Sequence, residues 1–132
     1  MIEMPVARGL IVCEQIIVDK LTNEVSLINC KHGWKVESFP SDHQRFVVYA
    51  SLTNGSGSCN ITIRIMNLSD GLTIYEQSTP LQFANPRLVI PFAYRVRHCV
   101  FPEPADYEVA LLIGNEPIAA CVLEIRLAEV ES

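Results

Sequence analysis

Two short segments carry the side chains that could bind a metal ion. "CKHGW" places Cys30 and His32 two positions apart, and "RHCVF" places His98 beside Cys99. Thiolate and imidazole are ligands that zinc prefers, and a zinc site needs several of them to converge on one ion. We therefore consider a small-ligand or metal site built from Cys30, His32 and His98.

Strand parity and spacing weigh against this metal site. On a β-strand, residues two apart share a face, so Cys30 and His32 could chelate one ion together. Adjacent residues face opposite ways, so His98 and Cys99 could not both join them. The chain also lacks the tight Cys-x-x-Cys type of ligand pair found in structural zinc sites. The sequence accordingly predicts no metal and no cofactor, and Cys30 and Cys99 are expected to be small core side chains.

Residues for covalent catalysis are equally sparse. "SDH" at 41–43 contains the residue types of a serine-hydrolase triad, but triad members converge from separate segments rather than from consecutive positions. Cys59 and Cys121 fall on the apolar faces of alternating segments, where burial keeps a thiol protonated and unreactive. A hydrolase is the weaker alternative, and no catalytic residue is predicted.

The elements that would position these side chains have a period of two. In "CNITIRIM", Cys59, Ile61, Ile63 and Ile65 fall on one face and polar residues on the other, which is typical of a half-buried strand. Turn residues separate such segments, and the Asn-Gly pair at 54–55 predicts a tight hairpin between its flanking strands. About eight strands are predicted, at roughly 7–18, 24–30, 45–53, 58–67, 72–83, 87–97, 106–113 and 118–128, with 31–44 as a long connection.

The number and spacing of these strands predict an all-β fold. An antiparallel β-sandwich of immunoglobulin-like size is expected, and a small closed barrel is the alternative. The chain has 132 residues, so residues 1–132 are predicted to form a single sandwich domain. In "FPEPADYEV", Tyr107 opens an apolar strand after a proline-rich turn. This arrangement predicts a tyrosine corner, in which the hydroxyl binds the preceding loop.

Composition and charge narrow the possible partners. Ten basic and fifteen acidic residues give a net charge of −5, whereas a nucleic-acid or acidic-membrane binder needs a surplus of Lys and Arg. Arg87, Arg95 and Arg97 are close in sequence and could form a local basic patch. No apolar stretch reaches the ~18 residues of a membrane helix. Glu3 and Glu14 interrupt the pattern of a secretory signal, so we expect a cytoplasmic protein with reduced thiols that binds neither nucleic acid nor membrane.

Several segments together resemble a known family pattern. They are "CEQIIVDKLTNEVSLIN" (13–29), "FPSDHQRFVVYASLTNGSG" (39–57), "IRIMNLSDGLTIYE" (63–76) and "FPEPADYEVALLIGNEPIA" (101–119). The chain resembles a family of small, mostly bacterial proteins that is classed only as a domain of unknown function. The resemblance implies a β-sandwich and a bacterial cytosolic origin, and it implies no functional residue. Ala105 stands where the family pattern favours glycine.

The leading functional hypothesis is a non-enzymatic protein-interaction module. The mean hydropathy of +0.24 is high for a domain of this size. It favours apolar surface that is covered by a protein partner or by self-association through a sheet face or edge. The side chains expected at this surface are outward-facing apolar residues and the only tryptophan. They are Trp34, Val89, Tyr94 and Val122.

Overall fold

The computed structural model describes residues 5–42, 45–53, 55, 57–84, 87 and 89–129. These residues form nine strands. The strands are β1 (Val6–Val18), β2 (Val25–Lys31), β3 (Gly33–Val36), β4 (Phe46–Thr53), β5 (Gly57–Asn67), β6 (Thr73–Phe83), β7 (Ile90–Val96), β8 (Ala105–Ile113) and β9 (Glu116–Leu127).

The strands form two hydrogen-bonded sheets. Sheet A has the strand order β2-β1-β4-β7, and sheet B has the order β3-β9-β8-β5-β6. The inner faces of both sheets contribute to one apolar core. The predicted all-β sandwich is therefore confirmed, and the described residues include no α-helix. Accordingly, this part of the chain contains no helix that is long and apolar enough to cross a membrane.

The period of two in the sequence decides which side chains enter the core. On β5, Ile61, Ile63 and Ile65 are buried, whereas Thr62 and Arg64 between them are partly exposed. A fully buried isoleucine contributes roughly 1.5–3 kcal/mol relative to an exposed one. The inward face of β5 therefore holds sheet B against sheet A, and the alternation predicted for this strand is confirmed.

Segment 31–44, predicted as a long connection, contains the short strand β3. β3 pairs in parallel with β9, beginning at Gly33↔Glu124. The close approach of the two strands requires glycine, since a Cβ at Gly33 would overlap the backbone carbonyl of Glu124. The other strand pairs of both sheets are antiparallel. Among the described strands, β3 and β9 therefore form the one parallel pair.

The predicted Asn-Gly hairpin is wrong, because β4 belongs to sheet A and β5 to sheet B. Asn54 lies outside the described residues. Gly55 is buried, and a Cβ at this position would lie 2.7 Å from the ring of Phe83. The glycine thus lets the chain pass close over the core as it crosses between the sheets.

An aromatic cluster closes one end of the core. Trp34 of β3 packs against Phe46 and Phe101, with ring centroids 5.2 and 5.6 Å apart. The ring centroids of Phe101 and Tyr107 are 4.9 Å apart. The Tyr107 hydroxyl donates a 2.6 Å hydrogen bond to the Glu103 carbonyl oxygen. This bond confirms the predicted tyrosine corner and fixes the loop that precedes β8.

Candidate functional site

β1 and β2 extend beyond the rest of sheet A as a two-stranded hairpin. β4 pairs with β1 only as far as Cys13, whereas β1 stays paired with β2 to Val18↔Val25. We name residues 14–29 the β1–β2 ribbon. The core cluster includes Val12 of β1 and, among the described residues, none of the ribbon. A two-stranded hairpin is only marginally stable by itself in water, so the ribbon would gain stability by packing against another surface.

The ribbon carries apolar side chains on both of its faces. Strand alternation places Ile16 and Val18 on one face and Ile17 on the other. Ile17 and Val18 are 51% and 50% exposed, and Leu21 in the turn is 94% exposed. Half-buried apolar residues on the neighbouring strand extend both faces, and they are Val25, Leu27 and Ile28. Sheets with one solvated face usually carry polar residues on it, so a ribbon that is apolar on both faces is suited to burial.

Hydrogen bonds fix the turn at the tip of the ribbon. The Asp19 carboxylate accepts bonds from the backbone N–H groups of Leu21 and Thr22 at 2.8 and 3.2 Å. The Asn23 N–H donates to the Asp19 carbonyl oxygen at 2.8 Å. Asn23 has a φ of 60°, a conformation that asparagine tolerates well. Leu21 is therefore presented to solvent by an ordered turn, which lowers the entropy lost when this side chain is buried by a partner.

Three arginines line a small cleft beside the base of the ribbon. Arg45 precedes β4, Arg95 lies near the end of β7 and Arg97 follows that strand, and all three line the cleft together with Glu14. The β4–β7 ladder places Arg45 and Arg97 opposite each other, one position beyond its end. Like charges in opposite positions repel, so this cleft concentrates positive charge that a bound anion would neutralise. We name Arg45, Arg95 and Arg97 the arginine cleft.

The arginines of sheet B, by contrast, face carboxylates. Arg126 lies 2.7 Å from Asp106 and 3.7 Å from Glu124, and Arg64 lies 3.9 Å from Glu108. In the described part of the chain, no such ion pair involves the arginine cleft. The basic patch suggested by the sequence is thus present in part, with Arg45 rather than Arg87 beside Arg95 and Arg97.

The side chains considered as candidate metal ligands are only partly brought together. Cys30 and His32 line one cleft of about 60 Å³ with Cys121 of β9. His98 follows β7, at the edge of sheet A opposite to β2, and does not line this cleft. Within the described ranges, no three His, Cys, Asp or Glu side chains are arranged to hold a metal ion. Cys30 is exposed rather than buried, because it lies on an edge strand, whereas Cys99 is buried as expected.

The predicted interaction residues lie in different environments. Val89 and Val122 are exposed. The expectation that Tyr94 points outward is wrong, because β7 pairs it with the core residue Val48 and its half-buried ring packs against the core. Trp34 lies on β3 rather than in a loop, and it is half-buried in the aromatic cluster.

The thiols are poorly suited to nucleophilic chemistry. Burial raises the pKa of the Cys99 thiol to about 12. Burial, with a smaller effect of Glu108, raises the pKa of Cys121 to about 11. Both groups therefore stay protonated near neutral pH. In the "SDH" segment, Ser41 is buried and its backbone is hydrogen-bonded to Phe101, and His43 lies outside the described residues.

The ribbon was not identified from the sequence, although two signals for it are present. The predicted strand at 7–18 is longer than the predicted strand at 45–53, so one neighbour could not cover its full length. The segment "IIV" at 16–18 is also apolar without alternation, a pattern typical of strands covered on both faces. Only the structure shows that these two signals coincide at an exposed position.

The sequence matches one family along most of its length. No curated protein matches the chain. The model of a family of unknown function (DUF6941) matches residues 8–126, a range that begins in β1 and ends in β9. The predicted relationship to a family without an assigned function is thereby confirmed. Because the match covers nearly all of the 132 residues, the chain belongs to the family of unknown function DUF6941.

Proposed function

We propose that this protein is a non-enzymatic interaction module and that the β1–β2 ribbon is its protein-binding surface. The observation that carries the proposal is the exposure of apolar side chains on both faces and at the tip of the ribbon. Burying Leu21 would contribute roughly 1.5–3 kcal/mol, and burying the half-exposed Ile17 and Val18 roughly half of that for each, before the losses of association are subtracted. Because the surface is ordered before it binds, less of this gain is offset by lost conformational entropy.

The ordered turn supports the same proposal. A flexible loop with an exposed leucine would lose conformational entropy on binding, whereas the bonds around Asp19 already restrict this one. We place the protein in the bacterial cytosol, and its free cysteines support this location.

Site-specific cross-linking tests the proposed surface. A photoreactive amino acid is introduced at Leu21 and, as the control, at Val122, an exposed apolar residue of sheet B. Each protein is irradiated in a lysate of the source organism, and the cross-linked species are identified by mass spectrometry. We expect the Leu21 position to capture one defined protein, or a second copy of the chain, that the Val122 position does not capture.

A second variant links this capture to the apolar ribbon. Ile17→Thr/Val18→Thr keeps the β-branched shape but adds hydroxyl groups, so the fold is retained and the apolar contact is weakened. The cross-link from Leu21 should fall at least about tenfold in this background. Equal capture from both positions, or a cross-link that the double variant leaves unchanged, would overturn the proposal. The thermal unfolding midpoint of the variant checks that it is folded.

A further inference from the structure

Within the described residues, one backbone edge of the ribbon has no strand partner, and we name it the open edge. Residues 15–18 of β1 pair with β2 on one side. On the other side, none of the described strands pairs with them, because the β1–β4 ladder ends at Cys13↔Val47. The N–H and C=O groups of an open edge can pair with an additional strand. A strand added along residues 14–18 would continue the line of β4 within sheet A.

The open edge begins beside the arginine cleft. Arg45 is the residue before β4, so a strand that continues the line of β4 would pass next to it. Glu14 contributes one negative charge to the cleft, and its carboxylate accepts a 2.9 Å hydrogen bond from Asn29. Three guanidinium groups and one carboxylate leave a local positive charge in a chain of net charge −5. Charge complementarity therefore favours an acidic occupant at this edge.

The two faces of the edge also differ in character. Arg95 is the cross-strand partner of Val47, which in turn pairs with Cys13, so Arg95 lies on the sheet face shared by Cys13 and Ile17. Ile16 and Val18 lie on the other face. A strand added here would meet positive charge on one face and aliphatic surface on the other. The side chains of the added strand should therefore alternate between acidic and aliphatic residues.

We propose that the open edge of the ribbon binds an extended acidic segment of a partner protein, which adds to sheet A as a further strand. This inference rests on the proposed function and names the class of partner. Acidic side chains on one face of the segment pair with the arginine cleft, and β-branched side chains on its other face cover Ile16 and Val18. Main-chain hydrogen bonds supply affinity, and the alternation of side chains supplies specificity.

A synthetic peptide of this pattern tests the inference. The probe is the fluorescently labelled peptide Glu-Val-Glu-Thr-Glu-Val-Glu-Thr, and binding to the full chain is followed by fluorescence anisotropy. We expect saturable binding that weakens as the salt concentration rises, because ions screen the arginine–carboxylate contacts. A peptide with lysine in place of each glutamate should not bind. A peptide with proline in place of its second valine should bind at least about tenfold more weakly, because proline cannot donate a ladder hydrogen bond.

A matched pair of protein variants separates the effect of the arginine cleft on binding from the effect of the protein's net charge. Arg45→Gln/Arg97→Gln should weaken binding of the probe at least about tenfold. Arg8→Gln/Lys35→Gln removes the same charge away from the cleft and should change the affinity by less than about twofold. Equal losses in the two variants would overturn the role of the cleft. Undiminished binding of the proline peptide would overturn strand addition.

Self-pairing of the edge is a third outcome of the test. A wild-type dimer in sedimentation velocity that Ile17→Thr/Val18→Thr dissociates and the peptide does not would mean that a second copy occupies the edge, and it would overturn the inference. These failures are distinct from failure of the proposed function. Loss of the Leu21 cross-link in Ile17→Thr/Val18→Thr would still support the ribbon as a binding surface when the peptide does not bind.

Discussion

Asn67 is fully buried at the end of β5, and it holds two turns together. Its side-chain Nδ2 donates a 2.9 Å hydrogen bond to the Glu103 carboxylate, and its Oδ1 accepts a 2.8 Å bond from the Ser69 N–H. Its backbone N–H and C=O bond to Leu72 and Gly71 across the turn that leads to β6. A buried amide is tolerated here because these partners replace the water that it loses on folding.

The substitution Asn67→Ala should therefore be clearly destabilising. It leaves the Ser69 N–H without its acceptor and opens space in a buried site, so we expect a loss of about 1–3 kcal/mol in the free energy of unfolding. Urea denaturation followed by tryptophan fluorescence measures this loss. Ser69→Ala is the control, because it removes only the bonds of an exposed hydroxyl and should lose less than about 1 kcal/mol. Equal losses in both variants would contradict the role assigned to Asn67.

The cysteines should differ sharply in their reactivity toward alkylating reagents. Cys30 is exposed, whereas Cys13 and Cys99 are fully buried, and burial raises the pKa of both buried thiols. Only the thiolate is alkylated, so iodoacetamide at pH 8 should modify Cys30 first in the folded protein. Peptide mass spectrometry over time measures the order. Cys30→Ser should remove the fast phase and Cys59→Ser should retain it, and a fast phase that survives Cys30→Ser would contradict this assignment.

At the scale of single elements, β3 depends on the absence of a side chain at Gly33. Gly33→Ala would force β3 away from β9, because the new Cβ would overlap the backbone of Glu124. Trp34 would then move out of its contacts with the aromatic cluster. We expect a loss of about 1–3 kcal/mol in unfolding free energy and a red shift of the emission of this single tryptophan. Lys35→Ala, an exposed position on the same strand, should change neither quantity by a comparable amount.

The strands differ in how well their sequences predict them. Burial on β5 alternates from Cys59 to Asn67, and the predicted range 58–67 agrees closely with the observed Gly57–Asn67. β3 was missed because the four residues "GWKV" are too few to establish an alternating pattern and because its parallel partner is far away in sequence. The hairpin predicted from the Asn-Gly pair at 54–55 was wrong for a related reason. Contacts between residues far apart in sequence decide which sheet a strand joins, and a two-residue turn pattern does not report them.

The candidate site was predictable only in part, for the same physical reason. The apolar character of residues 16–18 is visible in the sequence, but their exposure depends on where β4 ends relative to β1. That end is set by the register of β1 with β4, in which Cys13 pairs with Val47. The arginine cleft depends likewise on the register of β4 with β7, which joins Arg45 to residues some fifty positions later along the chain.

At the scale of the whole molecule, burial of several thiols and of one tyrosine hydroxyl makes the free energy of unfolding depend on pH in the alkaline range. Burial raises the pKa of four thiols, and it raises the pKa of the Tyr107 hydroxyl as well. The four thiols belong to Cys13, Cys59, Cys99 and Cys121. In the unfolded chain these thiols have the ordinary thiol pKa of about 9.0. Above that pH the unfolded chain releases protons that the folded chain retains, so the free energy of unfolding must fall as the pH rises.

The largest effects are expected between pH 9 and the folded pKa values of Cys121 and Cys99, about 11 and about 12. Together these two thiols should lower the free energy of unfolding by about 1–2 kcal/mol between pH 9 and pH 10, with little change between pH 7 and pH 8. Urea denaturation in the presence of a phosphine reductant measures the fall. Cys99→Ala should reduce it by about 1 kcal/mol, because that variant lacks one of the thiols that ionise only in the unfolded chain over this range. Cys30→Ser is the control, because it removes only an exposed thiol. If both variants reduce the decrease in unfolding free energy equally, burial of Cys99 is not the cause of that decrease.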